Sequence, residues 1–423
     1  EKVRSWDKIF MSLVAGKSVV FRDGVQEAYV FESEKWNTRA IAEPQTEGVV
    51  RGPRDGFVES LNTNISLIRR RLRTPDFRIQ KLKIGRYTQT EVAVCYLEGL
   101  ADPSMITELL HRLKKIHVDG VLASGYLEQF IEDNHFSPFP QIHYTERPDR
   151  VAANLLEGRV AIVTDGTPFV LIVPAAFNQF YQSAEDYYSR YLMATLVRFF
   201  RILAILFALV FPSLYVSLVS FNPEMIPTRF AIALAGGRGT VPFPAMVEVL
   251  VLEVVMEILR EASVRLPKQV GGALSIVGIL VVGQSAVAAG LASPITVVIV
   301  ALTTLGSFAT PAYNAAISLR MLRFPLVLLA GAFGLYGVMI GLIIITTHML
   351  SLSSFGVPYL SPLSPLDQQG LKDTVVRAPL WMMTHRPRPL HSSISSRLGD
   401  QSKESTMMDQ RKPLTPRYRG GQD

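Results

Sequence analysis

Residues 202–221 read ILAILFALVFPSLYVSLVSF, twenty consecutive positions without Asp, Glu, Lys or Arg. A helix of that length rises about 30 Å, the thickness of bilayer hydrocarbon, so the stretch predicts a transmembrane helix. Outward from it the chain changes character in both directions. Residues before about 200 mix charged and apolar side chains as a globular domain does, residues 202–366 are overwhelmingly apolar, and residues 384–423 are polar and basic. At 48% hydrophobic residues over 423 positions, the chain is more apolar than is usual for a water-soluble protein of its size.

Further spans follow downstream. Val270 to Leu319 contains none of the four charged residue types and is too long for one crossing, and Ser293-Pro294 divides it into two apolar segments. Leu326–Thr347 supplies another. Val241–Leu259 is apolar enough to enter a bilayer but carries Glu248, Glu253 and Glu257, so four or five spans are expected across residues 191–366. Arg190, Arg198 and Arg201 place the N-terminal half on the cytoplasmic side, where Lys and Arg collect. With four spans the C-terminus lies inside as well, and with a fifth it lies outside.

In the N-terminal half, Ser18–Phe21, Ile79–Ile84, Val92–Leu97, Val160–Thr164 and Phe169–Val173 are β-branched runs bounded by Gly, Pro or Asp and read as strands. Helical patterns lie between them at Leu61–Leu72, Pro103–Ile116, Leu127–Asp133 and Arg150–Leu156. The expected architecture is an α/β or α+β soluble half of two small subdomains, 1–72 and 73–190, followed by an all-α multi-span membrane domain, 191–366. The first subdomain is read as starting part-way, because residue 1 is Glu. A basic, largely disordered tail is expected over 367–423. Residues 370–423 hold ten Lys or Arg against five Asp or Glu, which is +5 of the net +7, a balance that suits solvation or anionic lipid better than nucleic acid. The single cysteine, Cys95, excludes an internal disulfide and reads as a buried strand residue.

Chemistry-bearing motifs are few. Ala15-Gly16-Lys17-Ser18 imitates the end of a phosphate-binding loop, but Met11 stands where the first glycine is needed. The seven histidines have no metal-ligand spacing, no nucleophile elbow or carboxylate pair is legible, and neither cofactor nor enzymatic activity is expected. Glu253, Glu257 and Glu261, spaced by four, form one stripe of a helix, and carboxylates in an apolar setting need water or a basic partner. They are the candidate ion pathway, with Arg260 and Arg265 as candidate ion-pair partners. Ala330, Gly334, Gly337 and Gly341 place small residues on one helix face, a candidate packing seam. Gly52, Arg54, Asp55 and Gly56 read as a structural turn, with the glycines supplying backbone freedom and Arg54 and Asp55 local pairing.

Several stretches carry a resemblance. They are Arg51-Gly52-Pro53-Arg54-Asp55-Gly56-Phe57, Asn62-Thr63-Asn64-Ile65 through Arg69-Arg70-Arg71, Thr145-Glu146-Arg147-Pro148-Asp149-Arg150, Asp165-Gly166-Thr167-Pro168-Phe169, Asp186-Tyr187-Tyr188, Leu259-Arg260-Glu261-Ala262 with Arg265-Leu266-Pro267, and Ser354-Phe355-Gly356-Val357-Pro358-Tyr359. In order from residue 51 to 359, these resemble the signature of the GerA family of spore germination receptor subunits. The resemblance implies an A-type subunit in the inner membrane of the spore, with a two-part N-terminal domain and a multi-pass membrane domain. It further implies a transporter-like B-type subunit and a C-type lipoprotein as partners, and a homo-oligomer, a pentamer, forming a nutrient-gated ion channel. The alternative within the family is the accessory subunit of the stage V sporulation operon type, which amplifies germination without sensing nutrients. A secondary transporter would call for inverted repeats, and none is legible.

Overall fold

The computed structural model describes residues 2–14, 17–31, 43–265 and 281–390, together with residues 392, 394, 396 and 397. A small unit comes first: β1 (Lys2–Val3), α1 (Trp6–Val14), β2 (Ser18–Phe21) and β3 (Ala28–Phe31) form an antiparallel sheet ordered β1-β3-β2. Val3, Ile9, Ala28 and Val30 are its core.

The main N-terminal body is a five-stranded sheet with helices on both faces. Its strands are β4 (Phe77–Ile84), β5 (Thr90–Leu97), β6 (His143–Thr145), β7 (Val160–Thr164) and β8 (Val170–Val173), in the order β4-β5-β7-β8-β6, each pair antiparallel. Successive side chains on a strand point to opposite faces, and both faces here are apolar. Ala93, Cys95, Ala161, Val163, Val170 and Ile172 meet α2 (Leu61–Arg71) and α5 (Pro148–Leu156) on one side. Val92, Val94, Ile162 and Leu171 meet α3 (Pro103–Lys114) and α4 (Ser124–Ile131) on the other. Asp102 caps α3 by accepting from the Ser104 amide at 2.8 Å. The expected division at 72/73 falls inside this body, because Leu61, Ile65 and Ile68 of α2 share one core with β5 and β7. Apolar α2 side chains need the sheet to cover them, so the helix belongs with the strands that follow it.

Two four-residue helices, α6 (Asn178–Tyr181) and α7 (Glu185–Tyr188), lead into a helical C-terminal part. It contains α8 (Tyr191–Ser220), α9 (Thr228–Arg238), α10 (Ala245–Arg265), α11 (Pro294–Phe308) and α12 (Tyr313–Ser351), and residues 281–288 are helical too. The expected segments over Val270–Leu319 therefore lie partly outside the described residues, at 270–280. By length and composition α8 and α12 are able to cross a membrane.

The expected straight helix over Leu326–Thr347 is not present. Gly334, inside α12, has φ 62° and ψ −143°, and the chain reverses there. A Cβ at Gly337 would overlap the Leu329 carbonyl, and one at Gly341 would overlap the Leu326 side chain, contacts that a continuous helix cannot make. Ala315 and Met349, from opposite ends of α12, pack in one cluster. The result is a hairpin with arms 313–333 and 335–351, about 31 and 25 Å long at 1.5 Å per residue. Its tip lies against Phe221 at the end of α8, and its open end lies at the sheet body, where the Ala312 amide donates to Phe180 O.

After the hairpin the chain returns to the sheet body. Ser354 Oγ accepts from the Ala175 amide at 3.0 Å and donates to Gln141 O at 2.7 Å, and the Phe177 amide donates to Tyr359 O at 2.7 Å. The expectation of a disordered tail from 367 does not hold for its first part. Thr374, Arg377, Ala378, Met383 and Leu390 are buried, and Arg386 Nε donates to Leu156 O at 2.8 Å. Val375, Leu380 and Trp381 add apolar surface that composition averaged over the whole tail conceals. Residues 398–423 lie outside the described residues.

Candidate functional site: a charged layer inside the helical bundle

Arg320 and Arg323 are the only charged residues between positions 270 and 366. Both are on the first arm of the hairpin and face α10. Arg323 Nη1 donates to Glu253 Oε2 at 2.6 Å, and Thr303 Oγ1 of α11 donates to Glu253 Oε1 at 3.3 Å. One turn along, Glu257 lies 3.0 Å from Arg260 and 3.3 Å from Arg320. Arg260 also donates to Ser307 Oγ at 3.3 Å and stacks over Phe308, its guanidinium carbon 5.0 Å from the ring centroid. The layer thus joins α10, α11 and the hairpin by contacts in which each buried charge meets its opposite.

Within the stripe the environment is graded. Glu253 is buried, the Glu257 side chain is 45% exposed, and Glu261 is exposed. Of the expected partners, Arg260 pairs with Glu257, while the side chain of Arg265 lies outside the described ones. The principal partners, Arg323 and Arg320, are not local. Glu248 is buried on another side of α10, where it takes Arg238 at 3.1 Å, the Ser293 amide at 3.0 Å and Thr296 Oγ1 at 2.9 Å.

The small residues Ala330, Gly334, Gly337 and Gly341 serve the hairpin. Gly334 makes the reversal, Gly337 and Gly341 let the second arm approach Leu329 and Leu326, and Ala330 is buried beside Val327 and Val338.

Three signature segments meet where the sheet body joins α8. Gly52 has φ 137°, and a Cβ there would lie 2.6 Å from the Tyr188 ring. Gly56 is buried next to Phe57, whose amide donates to Glu146 O at 2.8 Å. Arg147, fully buried, donates to Pro53 O at 3.0 Å and pairs with Asp149 at 2.8 Å, and Tyr188 donates its hydroxyl to Asp149 as well. Arg54 and Asp55 do not pair with each other: Arg54 reaches Glu43 at 3.5 Å, and Asp55 pairs with Arg71 at 2.6 Å. Asp55→Asn is therefore expected to cost at most about 1 kcal/mol, since that pair is partly exposed. Gly52→Ala forces a side chain into left-handed backbone and should cost about 1–3 kcal/mol. Thermal unfolding of the two purified variants measures the difference.

Beside that turn Arg198 of α8 is fully buried, 3.2 Å from Asp186 and 2.9 Å from Asp373, and Arg201 adds a contact to Asp186 at 3.0 Å. Tyr187 donates to Asp373 Oδ2 at 2.6 Å, and burial pushes that hydroxyl well above its ordinary value, which keeps it protonated as a donor. Burial also raises the Asp373 carboxyl, and the Arg198 guanidinium opposes that shift.

The chain belongs to the GerA family. The family described as Bacillus/Clostridium GerA spore germination protein matches residues 1–389. It is 50% identical to spore germination protein KA of Bacillus subtilis (strain 168) over 402 residues, which is 95% of this chain and 74% of that one. It is 42% identical to spore germination protein GerLA of Bacillus cereus over 395 residues, 93% of this chain and 80% of the relative. Among solved structures, it is similar to the N-terminal domain of the A subunit of the Bacillus megaterium spore germinant receptor GerK3, at 41% identity and a TM-score of 0.32, covering 42% of this chain and 63% of that one.

Proposed function

We propose that this chain is an A-type subunit of a spore germinant receptor which, with partner subunits, forms a nutrient-gated ion channel that triggers germination. Membership of the GerA family over most of the chain carries the reading, and the charged layer supplies a physical basis for it. The bundle is multi-pass in the inner spore membrane, with the sheet body and residues 353–390 both on the cytoplasmic side. Their packing against each other at one end of the bundle supports that topology. Partners are a transporter-like B-type subunit, a C-type lipoprotein and further copies of this chain, a pentamer being the family's expected form.

In this reading the ions pass Glu257 and Glu261, the exposed end of the stripe, while Glu253 is sealed by Arg323 and holds the bundle together. Carboxylates repeated around an axis favour cations. The complex of this chain with its B-type partner, reconstituted in liposomes, is expected to release cations when nutrient is added. Glu257→Gln keeps a carbonyl acceptor for Arg260 and Arg320 and should lower cation flux and selectivity with a smaller effect on assembly than Glu253→Gln, which removes the charge buried against Arg323. Unchanged flux and selectivity in a Glu257→Gln, Glu261→Gln double variant that assembles normally would remove those carboxylates from the pathway.

A further inference from the structure

Two exposed aromatic side chains stand beside the open end of the hairpin. Phe136 is 99% exposed and Phe130, on the outer side of α4, is 48% exposed. Their position is fixed by polar contacts to the end of the hairpin's second arm. Asp133 Oδ2 accepts from the Phe355 amide at 2.8 Å, Ser137 Oγ lies 2.9 Å from His348 Nε2, and Phe139 packs in one cluster with Met349. Arg112 ties the same turn to α3, donating to Ile131 O at 2.7 Å and Asp133 at 2.5 Å. The turn is thus held at the level where the apolar arm ends, and Leu350, two residues beyond His348, is itself exposed.

We infer that residues 130–136 form a membrane-surface anchor, with Phe130 and Phe136 seated at the boundary between lipid headgroups and acyl chains beside the end of the second arm. The inference rests on the reading that the helices cross a bilayer. Two observations select lipid as the occupant. The segment meets the arm at His348 through Ser137, next to Phe136, and the arm exposes Met339, Ile343, Ile344 and Leu350. The turn that carries the two rings is also held in place, by Asp133 and Ser137, so meeting lipid does not require ordering it. Phe side chains on a surface segment insert at that depth by burying apolar area at the headgroup–acyl boundary.

The test uses the full chain in phosphatidylcholine and phosphatidylglycerol vesicles, with bimane on Phe136→Cys and, separately, on Phe130→Cys. Cys95 is fully buried in the sheet and stays unlabelled. Tyr87→Cys, at the turn on the far edge of the sheet, is the aqueous reference, and Ile344→Cys on the second arm is the lipid reference. Brominated lipid should quench positions 136 and 130 as it quenches 344, and aqueous iodide should quench only 87. Quenching of 136 and 130 by iodide alone would overturn the anchor and leave the helices in the bilayer. Shielding from both quenchers would also overturn it, assigning the face to a second copy of the chain. Failure of brominated lipid to quench 344 would overturn the bilayer reading and the anchor together.

Discussion

Replacing Arg198 by alanine is expected to destabilise the protein by about 3 kcal/mol, because it empties a fully buried cation site and leaves the partly buried Asp373 carboxylate without its partner. The residue is fully buried and donates to the Asp373 carboxylate at 2.9 Å, to Asp373 O at 3.0 Å and to Thr374 O at 3.2 Å. Asp186 keeps Arg201, so the stranded group is Asp373. Adding Asp373→Asn to Arg198→Ala should therefore recover part of the loss, since the second change removes the charge that the first left uncompensated. Arg198→Lys keeps the charge and loses the planar fork, and should fall between the wild type and Arg198→Ala. Protease protection of residues 353–390, with thermal unfolding of the same samples, reports the effect. Equal stability of Arg198→Ala and wild type would show that the contact is dispensable.

Gly334→Ala is expected to do comparable damage at the other end of the bundle. Backbone at φ 62° and ψ −143° is accessible in practice only to glycine, which sets a cost of about 1–3 kcal/mol before any clash is counted. The new Cβ would also lie 2.9 Å from Phe221 Cβ. Phe221→Ala should relieve the contact and leave the backbone strain, so the double variant is expected to recover only in part. A cysteine pair at Leu322 and Ile345, which pack against one cluster and continue the register that sets Gly341 against Leu326, reads the hairpin directly. It should crosslink with glycine at 334 and lose crosslinking as the hairpin opens. In an unbroken helix the two positions would be roughly 34 Å apart. Crosslinking at wild-type levels in Gly334→Ala would remove the special role of the glycine.

Local pattern in the sequence was enough to find most of the sheet body. The runs Ile79–Ile84, Val92–Leu97 and Val160–Thr164 fall in β4, β5 and β7: β5 and β7 are buried on both faces and leave apolar runs that turns must bound, whereas the edge strand β4 alternates apolar with exposed polar residues. The short β6, His143–Thr145, is legible in no such way, since its three residues are held by pairing with β8. Composition also failed at the hairpin. Apolar residues continue on both sides of Gly334, and only a backbone angle distinguishes a bend from a straight span.

In the charged layer, the stripe of Glu253 and Glu257 was legible from spacing, and its partners were not. Arg323 is seventy positions from Glu253, so no local rule pairs them. A signal was nonetheless present. Two arginines alone in a long uncharged stretch must meet counter-charges, and the carboxylates of α10 were the ones embedded in comparably apolar sequence. The first part of the tail escapes a sequence reading for the opposite reason. Asp373 looks like an ordinary solvated charge until Arg198 and Tyr187 surround it.

The return of residues 353–359 to the sheet body has a mechanical consequence. Were the helices attached to that body only through residues 189–191, the two could swivel about a single thread of backbone. The second attachment, through Ser354 to Ala175 and Gln141 and through Tyr359 to Phe177, blocks that rotation in the way that a second bolt fixes a bracket. A tilt of the sheet body then pushes one helical root while pulling the other. The roots are the start of α8 and the end of the hairpin's second arm, whose far ends touch at Phe221 and Gly334. Torque applied to the sheet body would reach those far ends as shear between α8 and the hairpin.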